Sequence, residues 1–147
     1  YNRVFTYTSK APVKGLSRLK VEIYKDSIIN DNRYISLYVE QQRDVSRFDV
    51  YTDSAFVFKS FKVNGSTFKT DSRRSNRLFT YYVADNEPMD ISFVIPKDQL
   101  TRFEIYESSN DLLTNKLFSI PARDKTIITK PFILNDAVIV KKTIDIN

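Results

Sequence analysis

Any chemistry in this chain has to come from carboxylates, hydroxyls and cationic side chains, because its 147 residues include no histidine and no cysteine. Missing histidine removes the usual general base near neutral pH and the commonest zinc ligand. Missing cysteine removes thiol nucleophiles, disulfides and thiolate-held metals. Three carboxylate pairs are close in sequence: Asp44 with Asp49, Asp85 with Glu87, and Glu104 with Glu107. A glycosidase needs two such groups facing each other across a sugar. Nothing in the spacing makes any of these pairs converge, and 18 acidic residues give many chance neighbours. They read as solvated surface charges. An oxygen-ligated cation is the only metal chemistry left. The stretch Asp26 to Asn32 has oxygens for it, but lacks the glycine and the alternating spacing of a calcium loop. Ser17 and Lys20 are three residues apart, as in an acylating serine–lysine pair, but on a strand that spacing points them to opposite faces. Glycine occurs only at positions 15 and 65, so no glycine-rich phosphate loop can form.

What remains points to binding. Arg73, Arg74 and Arg77, in DSRRSNR, are three guanidinium groups within five residues and form a candidate anion contact. The same run also reads as a solvated loop tip. Tyr24, Tyr38 and Tyr51 sit on the outward parity of their strands and form a candidate partner face. Tyrosines with basic neighbours can also stack on sugars or bases. The net charge is +5, yet both signs are interspersed and no block of five like charges occurs. That pattern describes a solvated domain surface and not a nucleic-acid groove. The expectations are therefore no catalysis by this chain, no metal or cofactor in it, and no nucleic-acid partner.

These residues are carried almost entirely by strands. Ser17 to Lys25 alternates Leu19, Val21 and Ile23 against Lys20, Glu22 and Tyr24, and Tyr34 to Gln41 alternates Ile35, Leu37 and Val39 against Ser36, Tyr38 and Glu40. A period of two marks half-buried antiparallel strands. Asp26 to Arg33 reads as the turn between them. Val45 to Thr52 puts Phe48 and Val50 opposite Arg47, Asp49 and Tyr51. Phe56 to Val63 carries aromatics on both parities and reads as a strand that is central or covered on its second face. Asn64-Gly65 follows at once, the strongest short hairpin signal, and predicts that Ser66 to Thr70 returns antiparallel. Further strands are expected at Leu78–Ala84, Asp90–Ile95, Arg102–Glu107 and Ala137–Ile146, with a short one at Thr126–Thr129. Lys97 to Leu100 reads as one short helical turn, and Ser108 to Leu113 as a loop or a 3₁₀ turn. No window of eleven or more residues sustains a helical period. The expected fold is all-β: one antiparallel β-sandwich over residues 1–147, immunoglobulin-like or jelly-roll-like, with about nine strands and little helix. No apolar run approaches the roughly 20 residues of a membrane span.

Two segments carry a resemblance: DVSRFDVYTDSAFVFKSFKVNG, Asp44 to Gly65, and FEIYESSNDLL…LFSIPARDKTIITKPFILNDAVIVKKT, Phe103 to Thr143. Together they resemble the extracytoplasmic C-terminal domain of multi-pass membrane zinc aminopeptidases of the vacuolar and endoplasmic-reticulum type, in their Bacteroidetes-like bacterial form. The resemblance covers about two-thirds of the chain. It implies a β-sandwich that ends a longer protein, after a zinc exopeptidase domain and a bundle of transmembrane helices. The zinc would lie wholly in that absent peptidase domain, since none of the family's metal ligands maps onto this sequence. The chain begins at Tyr1 and not Met, which fits an excised piece. The implied role is a non-catalytic accessory domain on the periplasmic side of a membrane. Its partner would be the rest of its parent chain, with no membrane insertion of its own. The alternative, read from the tyrosines and the arginine run, is a stand-alone binding module for glycans or anionic polymers.

Overall fold

The computed structural model describes residues 7–71, 75–129, 131 and 135–147. Among them are nine strands and no helix: β1 (Lys20–Ile29), β2 (Asn32–Glu40), β3 (Arg47–Thr52), β4 (Ser60–Val63), β5 (Ser66–Thr67), β6 (Arg77–Tyr82), β7 (Met89–Pro96), β8 (Thr101–Ser109) and β9 (Val138–Ile146). They form two antiparallel sheets. One has the order β1-β2-β7-β4-β5 and the other β6-β3-β8-β9. With β1, β2, β7 and β4 set against β3, β8 and β9, this is the ABED/CFG arrangement of an immunoglobulin-type sandwich, extended by β5 and β6. The expected nine-strand all-β sandwich is the fold.

Alternation builds the core between the sheets. In β7, Met89, Ile91, Phe93 and Ile95 turn inward while Asp90, Ser92, Val94 and Pro96 turn out. Ile35, Leu37 and Val39 of β2 meet them from the same sheet, and Phe48, Val50, Phe103 and Ile105 from the other. Phe61 packs at the centre of an aromatic cluster, with ring centroids 5.2 Å from Phe58, 5.8 Å from Phe93, 5.9 Å from Phe79 and 6.4 Å from Phe68.

The hairpin at Asn64-Gly65 forms as its residues dictate. Both turn residues have positive φ, 48° and 76°, the type I′ geometry whose twist suits antiparallel strands. The returning strand is shorter than expected, Ser66–Thr67, although Phe68 N still donates to Phe61 O at 2.8 Å. Asp85 and Asn86 also have positive φ, 54° and 56°, and Glu87 N donates to Ala84 O, so the DNEP turn joins β6 of one sheet to β7 of the other. Open space surrounds the position of a Cβ at Gly65, so a substitution there is felt through the backbone alone. Gly65→Val should therefore cost about 1–3 kcal/mol of stability from strain at positive φ. An unchanged midpoint in thermal denaturation would refute it.

Several expected boundaries move. The strand at Phe56–Val63 shrinks to β4, because its first half is held away from the sheet. Phe56 N bonds Asp53 O, and the Gln99 side chain bonds both the N–H and the C=O of Val57. Phe58 consequently packs half-buried against the core, where no two-residue alternation would place it. β1 extends through Ile29, so the turn between β1 and β2 is only Asn30-Asp31, with Asn30 at φ 56°. β8 extends through Ser109 because it pairs with β9 to that point. Thr126–Thr129 is not a strand, and in place of a helical turn at Lys97–Leu100 there is a β-turn over 96–99, closed by Gln99 N on Pro96 O.

Candidate functional site

The outer face of the five-stranded sheet gathers polar and aromatic groups that are distant in sequence. It begins with a defect in β1. Ile23 pairs with Leu37 and Lys25 with Ser36, so Tyr24 is the extra residue of a β-bulge. A bulge re-aims side chains. Here Tyr24 lies over the neighbouring strand, its ring stacked on Tyr38 with centroids 4.5 Å apart and planes at 24°. The Tyr24 hydroxyl donates to Asp90 Oδ1 at 2.8 Å. Burial, and then this bond to a carboxylate that holds the phenolic proton, push the Tyr24 hydroxyl above its ordinary pKa.

One register row away the surface changes character. Lys25, Ser36, Ser92 and Lys62 stand side by side across β1, β2, β7 and β4. The next row holds Ser27, Tyr34, Val94 and Ser60. Between the two rows runs an open trough of about 530 Å³, floored by Ser36, Ser60 and Ser92 and bordered by Lys25, Lys59 and Lys62. Among the described residues, no carboxylate lines it. Asn32, at one end, accepts a hydrogen bond from Lys59 Nζ. Among the described residues, Lys25 and Lys62 have no carboxylate partner. In a chain with 18 acidic residues, a lysine-bordered trough free of acids is a distinct electrostatic feature.

Tyr51 is not part of this face. It projects from β3, in the other sheet, so the three expected tyrosines divide between opposite sides of the sandwich. Its ring meets Tyr106 edge-on at 5.4 Å. Several charges on its face are already paired. Arg47 bonds Asp49 at 2.8 Å and lies over the Tyr82 ring, Thr80 also donates to Asp49, and Lys141 pairs with Glu104. The bond to Asp49 raises the Arg47 guanidinium above its usual value, and the bond to Glu104 does the same for Lys141. A second depression of about 550 Å³ lies at the end of this face, lined by Tyr51, Phe56, Arg102, Glu104 and Asp145 among others. Arg102 and Asp145 pair across it at 2.6 Å. Arg77 opens β6 opposite Tyr51, exposed at that sheet's edge. Arg73 and Arg74 lie outside the described residues. Sequence spacing thus missed the lysine trough: Lys25 and Lys62 come from strands 37 positions apart, and only the sheet order brings them into one row.

The reading of all acids as solvated fails at Glu107 and Asp49. Glu107 is 1% exposed, and its carboxylate accepts from Arg43 Nε at 2.8 Å and from the Leu19 backbone N–H at 3.1 Å. Arg43 also donates to Ser109 Oγ and to the carbonyl of Glu107, while Ser109 donates to Asp111 and Asn115 to the other oxygen of Asp111. This network fastens the segment before β1 and the long β8–β9 connection to β8. Glu104, three residues away, faces out, so that pair cannot act jointly across a substrate. Asp26, Asp31 and Asn32 are each engaged by a different cation: Arg33, Lys97 and Lys59. They form no ring of oxygens. Among the described residues, no three acidic groups gather as a metal site.

Three carboxylates, Asp26, Asp111 and Asp124, lie below their ordinary values and set an acid limit on stability. Hydrogen bonds from Arg33 lower Asp26 below its ordinary 3.8. Burial pushes Asp111 upward, but bonds from Ser109 and Asn115 outweigh it and leave Asp111 lowered as well. A lowered folded-state value contributes stability above the unfolded pKa and loses it as pH falls through the folded one. With no histidine, no side chain of ordinary pKa titrates between about pH 5 and 8. The melting temperature should be flat over that range and fall steadily below about pH 4. A midpoint that held or rose down to pH 2 would contradict this.

Comparison of the chain with protein-family models, with curated proteins and with solved structures finds no match.

Proposed function

We propose that this chain is a non-catalytic accessory domain of a membrane-bound zinc exopeptidase, held on the periplasmic side and docked against the rest of its parent chain. The observation that carries the reading is the connection between β8 and β9. It spans residues 110–137 without a strand or helix among its described residues, and it exposes Leu117, Ile120, Ile127 and Ile128, the last 90% exposed. Connections longer than about 12–15 residues without secondary structure are uncommon in compact domains and are usually either functional or linker segments. Its start is tied to β8 by Ser109 donating to Asp111, and it is closed on itself by Leu112 N on Asp136 O and by the Arg123–Asp136 pair. A tethered loop that offers aliphatic side chains to solvent suits burial against another domain, since interface cores draw on apolar anchors and leave charge to the rim. The PARD stretch within the segments that carry the resemblance, Pro121 to Asp124, falls on the same connection.

The test is the full-length gene, followed by co-purification. The expected result is an upstream zinc exopeptidase domain with several apolar spans, and retention of this chain by that peptidase domain. Retention should be lost when Ile120, Ile127 and Ile128 are replaced together by serine. A gene without a peptidase domain, or docking indifferent to those three positions, would overturn the reading.

A further inference from the structure

We propose that the lysine-bordered trough on the outer face of the five-stranded sheet binds an anionic polysaccharide segment, one that carries carboxylate or sulfate groups along a hydroxylated chain. The inference does not rest on the accessory-domain reading. The trough is formed by β1, β2, β7 and β4, whereas the docking loop proposed above follows β8.

Three features select the ligand. First, the row Lys25–Ser36–Ser92–Lys62 crosses three strand spacings, about 14 Å. It therefore sets an ammonium group at each end of a floor of hydroxyls, and Lys59 adds a third amine along the side. A ligand with anionic groups separated by a neutral, hydroxyl-rich stretch matches that order. Second, the serine hydroxyls of the floor can each donate and accept, as sugar hydroxyls do. Ser36, at the centre, is 9% exposed and bonded to the Tyr24 hydroxyl, so the half-buried Ser60 and Ser92 are the more open hydroxyls of the floor. Third, the flanks are aromatic. Tyr34 lines the trough itself, and the stacked Tyr24–Tyr38 pair stands one row, about 7 Å, beyond the central serines. The Tyr34 ring offers a flat face to the apolar side of a sugar, and the Tyr24–Tyr38 stack closes that end of the trough.

The same features disfavour other polyanions. An acidic peptide would need apolar anchor pockets, and Val94 is the only aliphatic side chain turned outward in the two rows. A single-stranded nucleic acid would need free aromatic faces along a cationic groove. Here Tyr24 and Tyr38 stack on each other, and beside them stand Glu22 and Asp90, the latter tied to the Tyr24 hydroxyl.

The trough owes its form to the bulge. Without the extra residue, Tyr24 and Lys25 would face opposite sides of β1. With it, Lys25 joins the row of Ser36 while Tyr24 covers Tyr38.

The experiment is a calorimetric titration of the whole chain at two salt concentrations. The probes are an oligogalacturonate, a sulfated oligosaccharide, a neutral oligosaccharide, poly-glutamate and single-stranded DNA. Saturable binding of at least one of the two anionic sugars, weakened by salt, is expected, and which of them binds distinguishes carboxylate from sulfate. Neither neutral sugar, poly-glutamate nor DNA should bind as well. The double variant Lys25→Glu/Lys62→Glu should weaken binding about tenfold or more. The control Lys10→Glu/Lys14→Glu, which changes the net charge equally on an exposed segment, should leave it within about twofold. Circular dichroism of both variants checks that the fold is kept. Failure of both anionic sugars to bind, equal weakening by the two double variants, or tighter binding of poly-glutamate or DNA would each overturn the proposal.

Discussion

Arg43→Ala should lower the free energy of unfolding by about 3–5 kcal/mol, the range for removing one partner of a buried ion pair. The Arg43 side chain is 11% exposed and that of Glu107 1%, so the carboxylate left behind has no water to turn to. The loss spreads beyond one pair. Arg43 also satisfies the carbonyl of Glu107 and the Ser109 hydroxyl, and through Ser109 it helps orient Asp111 at the root of the β8–β9 connection. The penalty arises from the orphaned charge and not from a large favourable pairing energy, because burying both ions was itself costly. A double variant Arg43→Met/Glu107→Gln should therefore recover most of the loss. Its amide oxygen still accepts from the Leu19 N–H, and no charge is left buried. Equilibrium urea denaturation of the two variants measures both numbers. A loss below about 1 kcal/mol for Arg43→Ala, the scale of an exposed pair, would mean that this network is solvated.

Phe61→Ala should cost a further amount of the same order, about 3–5 kcal/mol, by a different route. Phe61 is 1% exposed and faces four other phenylalanine rings drawn from both sheets and from the segments flanking β4. Truncation removes apolar contact from all of them. The neighbouring rings are fixed by strands that cannot close on the gap, so much of the cavity remains. At this chain length the expected fall in melting temperature is on the order of 10 °C. Lys62, the next residue, points outward into the trough, and Lys62→Ala should change stability by no more than about 0.5 kcal/mol. Similar losses at the two adjacent positions would contradict the strand parity on which both the core and the trough depend.

The sequence alone determined the class of fold and the positions of most strands. Alternation was strong in β2, β3 and β7 because each has one face in the core and one in water. Asn64-Gly65 determined its hairpin because few other residue pairs adopt positive φ twice in succession. Local signals failed where a distant group overrode them: the Gln99 side chain draws Val57 out of a strand its neighbours favour, and pairing with β9 draws Ser108 and Ser109 into one. Only the tertiary structure decided the face that matters. Tyr24, Tyr38 and Tyr51 share an outward parity in sequence, but parity is defined within a strand and says nothing about which sheet the strand joins. The compact arginine run drew attention because its members are adjacent. The trough is built instead from Lys25, Ser36, Ser60, Lys62 and Ser92, each unremarkable in its own strand. Strand order, register and one bulge bring them together, and those are settled by how the two sheets bury their inner faces.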